Sequence, residues 1–391
     1  MVTFLPTRPG RLADVPSFER GIGGAESNVA CVLARAGHTT RWVSRVGADG
    51  FGKHLTERIG SYGVDVSAVQ RDAARPTGIY FRTAGDRATD AHEVAYYRAG
   101  SAASAMAVEN VDLAAVRSGR VLHLSGITAA LSDDCLALLR TLTAPGPGRP
   151  LVSFDVNHRV TLWNGQDPAA VLLELACGGD LVFVGEDEAE AAWGITGGAA
   201  AIRAALPEPR ALVVKQGARG ATLFERAEDS LQARHGGPPC SSEAENSGEF
   251  EDEREARYGA PGEEPPGTGQ EGATTRRPPT VAVPARDTVT FVPSLHVDVV
   301  APVGAGDAFA AGFLSATLRG LPAKDRLRHG HLMAAAALTV PGDLAAPPGR
   351  EHADRLAALD DDAWETLRLG PGWTEAVDQA VDRAEEEVRT P

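Results

Sequence analysis

The sequence predicts an α/β protein with a doubly wound, mostly parallel sheet flanked by helices. Short apolar runs rich in valine and leucine recur along the 391 residues, and each is followed by a stretch of helical length rich in alanine and leucine. Strands that alternate with helices in this way pair in parallel and are covered on both faces. No repeat of about 20 to 50 residues is visible, so the pattern indicates one domain over residues 1–391.

The elements follow from local pattern. The first helix is predicted at 26–36, where Val29, Val32 and Leu33 share one face and Gly37 provides the C-terminal cap. Residues 77–98 break the alternation, because two β-prone runs flank a polar turn there, and this predicts a hairpin outside the main sheet. Strands are predicted at 40–46, 121–125, 151–155, 181–184, 211–215 and 221–224.

Residues 236–279 differ from the rest in composition. They contain ten acidic and four basic residues and seven prolines. Such a segment buries too little apolar surface to offset the entropy of ordering it. It is therefore predicted to be a disordered acidic insert between two strands of one domain, since 221–224 before it and 289–300 after it both have strand-like sequences.

Composition excludes several classes of function. The formal net charge is −15 and no basic stretch interrupts it, which argues against a nucleic-acid partner. The four cysteines lie far apart, so neither a zinc site nor a disulfide framework is expected. No apolar run approaches the length of a membrane span, and we expect a cytoplasmic protein without a membrane partner.

The most informative motif is Gly304-Ala305-Gly306-Asp307, a small glycine turn that opens onto an amphipathic helix. Unpaired N–H groups and the positive end of the helix dipole favour a phosphate there. An aspartate in the first turn can accept a proton. The same pattern would also fit a simple helix cap. The helix is indicated by four apolar residues on one face and ends at a glycine: Phe309, Phe313, Leu314, Leu318 and Gly320.

A second phosphate-binding candidate lies at 47–53, where the sequence fits G-x-x-x-x-G-K between a strand and a helix. The position after Lys53 is His54, which offers no hydroxyl to a metal ion, and Asp49 stands where a phosphate must approach. A plain glycine-rich turn explains this loop better than a P-loop does.

Two further groups of residues suit a polar ligand. Gly23 and Gly24 permit close backbone approach, and Asn28, one turn into the following helix, can donate to and accept from a polyol. Arg98 follows the second hairpin strand, and Arg159 lies just past the end of the strand at 151–155. A guanidinium at the carboxyl end of a parallel strand can bind a carboxylate.

Together these motifs resemble the ribokinase-like (PfkB-type) carbohydrate kinases. The segment from Gly23 to Asn28 is similar to the N-terminal signature of that family, and 304–307 is similar to its C-terminal signature. Order and spacing agree over nearly the whole chain except the acidic insert. Within the family, the segments 96–102 and 155–159 resemble those of 2-keto-3-deoxygluconate kinases, whose substrate carries a carboxylate.

The resemblance implies a ribokinase-like fold with a small β lid, drawn here from about 5–22 and 76–98. It implies phosphorylation of the terminal hydroxyl of a sugar acid, with ATP and Mg²⁺ required, and leaves open whether the chain forms a homo-oligomer. Asp307 would be the general base, and the N–H groups of Gly304, Ala305 and Gly306 would hold the transferring group. Glu188 matches the metal-linked acid. The matched sugar-side positions are Gly24, Tyr80, Tyr96, Arg98, Ile127, Arg159 and Asp343, and the matched nucleotide-side positions are Lys215, Gly217 and Gly220.

The sequence departs from the family pattern at three places. Ala301 stands where the family usually has an aspartate linked to a monovalent cation, which leaves that site without its usual carboxylate. Gly185 replaces the usual asparagine three residues before Glu188. The sequence also starts at Met1-Val2-Thr3-Phe4, whereas family members begin with a complete strand, so either the start is misassigned or the sheet lacks part of a strand.

We expect an ATP-dependent kinase of 2-keto-3-deoxygluconate. A fructokinase or ribokinase acting on a neutral sugar, with the same chemistry, remains an alternative. A degenerate homologue that binds sugar without turnover is the second alternative.

Overall fold

The computed structural model describes residues 1–8, 10–83, 93–163, 167–226 and 287–375. The predicted insert at 236–279 lies outside these residues. The described strands are β1 (Val2–Pro6), β2 (Phe18–Ile22), β3 (Arg45–Gly47), β4 (Gln70–Asp72), β5 (Ile79–Arg82), β6 (Val94–Tyr97), β7 (Val121–Ser125), β8 (Leu151–Asp155), β9 (Leu181–Gly185), β10 (Ala211–Lys215), β11 (Gly220–Arg226), β12 (Asp287–Pro293), β13 (His296–Val297) and β14 (Arg368–Leu369).

The described helices cover the main sheet and connect its strands. They are α1 (Ala25–Arg35), α2 (Gly50–Gly60), α3 (Leu113–Arg117), α4 (Gly126–Ala129), α5 (Asp133–Thr143), α6 (Pro168–Cys177), α7 (Glu186–Trp193), α8 (Gly198–Ala205), α9 (Ala305–Leu318), α10 (Ala323–Leu338), α11 (Arg350–Ala357) and α12 (Asp361–Thr366). Within the described ranges, no helix is long and apolar enough to cross a membrane.

The main sheet has the order β12-β11-β10-β9-β8-β7. Strands β7 to β10 run parallel, and β11 and β12 run antiparallel to their neighbours. Every residue of β9 is buried, as expected for a strand covered by helices on both faces. Alternate residues enter opposite cores: Phe183 packs with α9 and α10, whereas Val182 and Val184 pack on the other face with α5 and α6. The fold is the predicted α/β architecture.

A second sheet of four strands, ordered β2-β1-β5-β6, stands beside the main one. Its two antiparallel pairs, β1 with β2 and β5 with β6, are joined by the parallel pairing of β1 with β5. Strands β5 and β6 therefore form an antiparallel pair outside the main sheet, as the sequence predicts, and the predicted polar turn between them lies outside the described residues. The first residues of the sequence belong to this second sheet, and the main sheet ends at β7.

The strand predicted at 40–46 is wrong over most of its length. Only Arg45–Gly47 is a strand, and it pairs with β4 rather than with the main sheet. Residues before it bond individually to the segment near Asp65, with Trp42 donating to the Asp65 carbonyl and the Asp65 N–H donating to Thr40. An apolar run indicates burial but does not specify its pairing partner, which explains the error.

The other predicted element boundaries differ from the observed ones by only a few residues. Helix α1 begins one residue before its predicted start, and Gly37 has the positive φ of 87° that a C-terminal cap requires. The run at 289–300 divides into β12 and the short β13.

Candidate active site

The carboxyl ends of the parallel strands bring three polar positions to one edge of the main sheet. Asp155 ends β8, and Lys215 ends β10 opposite Gly185 of β9 in the parallel register. Helix α7 starts directly after Gly185 and carries Glu188 in its first turn. Ligands bind at this edge in open α/β sheets, because the loops after the strands converge there.

A buried network connects these side chains. The Lys215 Nζ donates to Asp155 Oδ1 at 3.1 Å and lies 3.7 Å from Glu188 Oε2. Glu188 also accepts a hydrogen bond within its own helix start, from the Gly185 N–H to its Oε2 at 2.7 Å. Burial raises the pKa of the Glu188 carboxyl, whereas Lys215 lowers it.

The glycine turn at 304–307 forms the start of α9, as predicted. Gly304 is the N-cap residue with φ 75°, and a Cβ there would lie 2.2 Å from the carbonyl oxygen of Asp343. Both the backbone conformation and the space therefore require glycine. The first N–H groups of a helix have no partner within it, so this turn offers free donors to an anion.

Asp307 lies in the first turn of α9 and faces Asn28 of α1. The Asn28 Nδ2 donates to Asp307 Oδ2 at 2.8 Å. Burial raises the pKa of the Asp307 carboxyl to about 7, although the hydrogen bond from Asn28 and the charge of Lys215 lower it. A carboxyl with a pKa near neutrality is well suited to accept a proton in catalysis.

One cavity of about 1060 Å³ contains this site. It also extends along the outer edge of β7 past Val121 and Leu122. Of the site residues predicted from the sequence, Gly217 and Gly220 do not line it; Gly217 lies in the turn after β10, and Gly220 is the first residue of β11. The predicted residues that do line it are Gly24, Asn28, Tyr80, Tyr96, Arg98, Ile127, Arg159, Glu188, Lys215, Gly304, Ala305, Gly306, Asp307 and Asp343.

Two arginines bring positive charge into the cavity. The Arg98 guanidinium lies over the ring of Tyr96, 4.7 Å from its centroid, and Arg98 Nε is buried without a hydrogen-bond partner. Burial lowers the pKa of Arg98, and the charge of Arg159 lowers it further. Arg159 Nη1 lies 3.9 Å from Glu188 Oε1, and its side chain is 53% exposed, so it is free to turn toward a ligand.

Asp343 is held by the second sheet. Tyr80 donates its hydroxyl to Asp343 Oδ2, and Arg82 donates to Asp343 Oδ1 at 2.8 Å. Burial, together with the Asp343 charge, raises the pKa of Tyr80. Asp343 thus connects the loop after α10 to β5 as well as lining the cavity.

Two residues of this site were not predicted from the sequence. They are Arg82 and Asp155. Arg82 is 1% exposed, and its Nε and Nη1 are buried without hydrogen-bond partners. The signal available was a charged residue at an inward position of a strand, two residues after Tyr80. For Asp155 the signal was the carboxyl end of an apolar strand.

The loop at 47–53 does not hold a phosphate site. Asp49 caps α2 by accepting from the Gly52 N–H at 2.7 Å, and it also accepts from the Thr77 N–H at 2.8 Å. The Asp49 carboxylate therefore occupies the loop. The Lys53 side chain is 69% exposed and lies 3.8 Å from Glu57. The plain glycine turn expected from the sequence is what the structure shows.

Few protein side chains at the site could bind a metal ion. No group of three or more histidine, cysteine, aspartate or glutamate side chains that could hold a metal is present among the described residues. Asp155 and Glu188 offer hard carboxylate oxygens, which suit a magnesium ion that takes its other ligands from phosphate and water. Ala301 is buried and offers no carboxylate.

The pfkB family carbohydrate kinase model matches residues 2–238 and 268–348, and the unmatched gap falls inside the predicted insert. The 2-dehydro-3-deoxygluconokinase of Thermoproteus tenax is 34% identical over 219 residues, which cover 55% of this chain and 66% of that protein. The protein of the same name from Bacillus subtilis is 29% identical over 359 residues, which cover 90% and 91%. Fructokinases also match, among them one of Oryza sativa. The crystal structure of a PfkB protein from Polaromonas sp. JS666 has a TM-score of 0.66 at 29% identity and covers 90% of this chain and 96% of its own.

Proposed function

The chain belongs to the pfkB family of carbohydrate kinases, and we propose that it transfers the γ-phosphate of ATP to the terminal hydroxyl of 2-keto-3-deoxygluconate, also called 2-dehydro-3-deoxygluconate. The observation that carries this proposal is the pair Arg98 and Arg159 in the same cavity as Asp307. A guanidinium also donates hydrogen bonds to the hydroxyls of a neutral sugar, but its stronger, charge-assisted and bidentate bonds form only with an anion such as a carboxylate.

Asp307 is the general base of the proposed reaction. It removes the proton of the sugar hydroxyl while that oxygen forms a bond to the γ-phosphorus and the bond to ADP breaks. With a pKa of about 7, about half of the Asp307 carboxyl is ionised near pH 7, and the raised pKa makes that carboxylate a stronger base than an ordinary aspartate. The free N–H groups at the start of α9 stabilise the charge on the transferring phosphoryl group. The Asn28 amide holds the carboxylate oxygen that is not accepting the proton.

We infer that the nucleotide side lies at the strand ends. Asp155 and Glu188 would hold Mg²⁺, and the ion would supply positive charge beside the phosphates of ATP. By the family resemblance, Lys215, Gly217 and Gly220 form the nucleotide side. Gly217 and Gly220, with φ 58° and 140°, allow the backbone there to turn sharply between β10 and β11. The four-stranded sheet β2-β1-β5-β6 would act as the lid over the sugar, because Tyr80, Tyr96 and Arg98 all belong to it or follow it directly.

The proposal is tested with a substrate panel on the purified chain. We expect kcat/KM with ATP and Mg²⁺ to be higher for 2-keto-3-deoxygluconate than for fructose or ribose. Replacement of Arg98 by methionine removes a hydrogen bond to a charged group, worth about 1.5–3 kcal/mol, and should lower kcat/KM for the acid about 10- to 100-fold. The exposed Arg117→Met on α3 serves as the matched control and should change nothing.

The fructokinase relatives favour a second candidate, a neutral-sugar kinase with the same chemistry. It predicts preference for fructose and no effect of Arg98→Met on the apparent affinity. Sugar binding without any turnover would instead support the degenerate homologue.

A further inference from the structure

Lys215 points away from the glycine turn that follows it and toward the start of α9. Its Nζ lies 3.6 Å from the position that a Cβ on Gly306 would occupy. The same Nζ is 3.1 Å from Asp155 Oδ1 and 3.7 Å from Glu188 Oε2. The ammonium therefore sits between the acids at the strand ends and the anion-binding turn, and it lines the cavity.

More acidic than basic side chains surround Lys215. Three carboxyl groups face it, those of Asp155, Glu188 and Asp307, and Arg159 is the other cation near Glu188. Burial by itself would lower the pKa of Lys215, but Asp155 and Glu188 raise it above its ordinary value. An unperturbed lysine is already an ammonium at physiological pH, and the carboxylates beside Lys215 favour that charged form. A fixed charge beside free helix N–H groups is the arrangement that stabilises a developing phosphoryl charge.

If Lys215 served only to pair with a buried carboxylate, its position beside Gly306 would have no explanation. One carboxylate suffices to pair a buried ammonium, and buried ion pairs add little net stability over apolar residues of the same size. Lys215 is also 20% exposed toward the cavity, so an anion can reach it. Neither its position beside Gly306 nor its access to the cavity is needed for pairing with Asp155.

On the basis of the proposed phosphoryl transfer, we propose that Lys215 is a catalytic residue whose ammonium contacts the transferring phosphoryl group, rather than a residue that only binds the nucleotide. It takes no part in bond making: the sugar oxygen bonds to phosphorus, the bond to ADP breaks, and the hydroxyl proton passes to Asp307. The ammonium contributes charge at the point where these three events meet. Its contact with phosphate oxygens strengthens as the phosphoryl group moves from ADP toward the sugar.

The test compares Lys215→Met with Lys215→Arg, using whichever sugar the wild-type chain phosphorylates. The methionine variant should lose about 10²- to 10³-fold in kcat, as is typical when one preorganised charge-stabilising donor is removed. Its affinity for ADP, measured by calorimetry, should change less than about threefold, whereas binding of ADP with aluminium fluoride should weaken strongly. The arginine variant should recover part of the kcat. The exposed Lys53→Met is the control and should resemble the wild type.

A double variant separates catalysis from charge pairing. If Lys215 only neutralises Asp155, Asp155→Asn with Lys215→Met should be as active as Asp155→Asn alone, because the carboxylate that the methionine would leave unpaired is also gone and Glu188 keeps Arg159 at 3.9 Å. If Lys215 acts on the phosphoryl group, the double variant should be about 10²-fold or more slower than Asp155→Asn. A loss of ADP affinity that equals the loss in kcat, or recovery in the double variant, overturns the proposal. Because the assay uses the best wild-type sugar, its outcome is independent of whether that sugar is an acid.

Discussion

Replacement of Asp307 by asparagine should make the protein inactive and, at alkaline pH, more stable. The asparagine keeps the shape of the side chain and can still accept the hydrogen bond from Asn28, but it cannot take a proton. Loss of a positioned general base costs about 10²- to 10⁴-fold in rate. In the wild type, kcat/KM for the sugar should fall as the pH drops below about 7, because Asp307 becomes protonated there.

The gain in stability follows from the raised pKa. The folded-state pKa of about 7 lies above the ordinary value of 3.8, so ionisation of Asp307 opposes folding. This cost grows as the pH rises from about 4, and it is complete above about pH 8. A difference of about 3 pKa units corresponds to about 4 kcal/mol, and about half of that or less applies at pH 5. Asparagine carries no such cost.

Urea denaturation of both proteins at pH 5 and pH 8 measures this difference. The stability gain of Asp307→Asn should be larger at pH 8 by about 2 kcal/mol, and a thermal scan at pH 8 should show a rise of a few degrees. The exposed Asp362→Asn on α12 provides the matched control and should stay within about 0.5 kcal/mol at both pH values. An equal stability change at both pH values would refute the argument from buried ionisation. Retention of more than about a tenth of the wild-type rate would refute the assignment of the base.

Two further predictions concern residues that do not contact the transferring phosphoryl group in the proposed reaction. Arg82→Met should lower the free energy of unfolding by about 3–5 kcal/mol, because it leaves the Asp343 carboxylate buried without its cation, and urea denaturation should show recovery when Asp343→Asn is added. No recovery in the double variant would contradict the pairing. Lys53→Ala should leave the KM for ATP unchanged within about twofold in a steady-state assay, since Lys53 is exposed on α2; a large increase would restore the P-loop interpretation.

The sequence was most informative where local pattern and function coincide. The turn at 304–307 could be predicted because glycine, a small residue and aspartate at the start of a helix define both the backbone and the chemistry. The amphipathic pattern expected for that helix is wrong, since residues 308–316 of α9 are all buried. The hairpin containing Tyr80 and Tyr96 was visible as two β-prone runs. Arg98 could be singled out because it follows such a strand directly.

The contacts between residues that are distant in sequence could not be predicted from the sequence. The run at 40–46 was predicted to be one strand, yet residues 40–42 bond to Asp65 and residues 45–47 pair with β4, and no local pattern indicates these partners. The Asn28 to Asp307 contact joins residues 279 positions apart. The direction of Lys215 depends on the approach of α9 to the end of β10, so its motif alone indicated only the turn that follows it.

The distribution of charge in the cavity also bears on which hydroxyl is phosphorylated. Asp155, Glu188 and Asp307 lie at the end of the cavity near α9 with Lys215, and Arg159 lies beside Glu188, whereas Arg98 lies with Tyr80 and Tyr96 beside the four-stranded sheet. A carboxylate placed near Asp307 would meet like charge, and one placed near Arg98 would meet a guanidinium with an unpaired buried Nε. On the proposed function, an acidic sugar would bind with its carboxylate toward Arg98. That orientation would leave the hydroxyl farthest from the carboxylate toward Asp307, and in the proposed substrate this is the terminal hydroxyl.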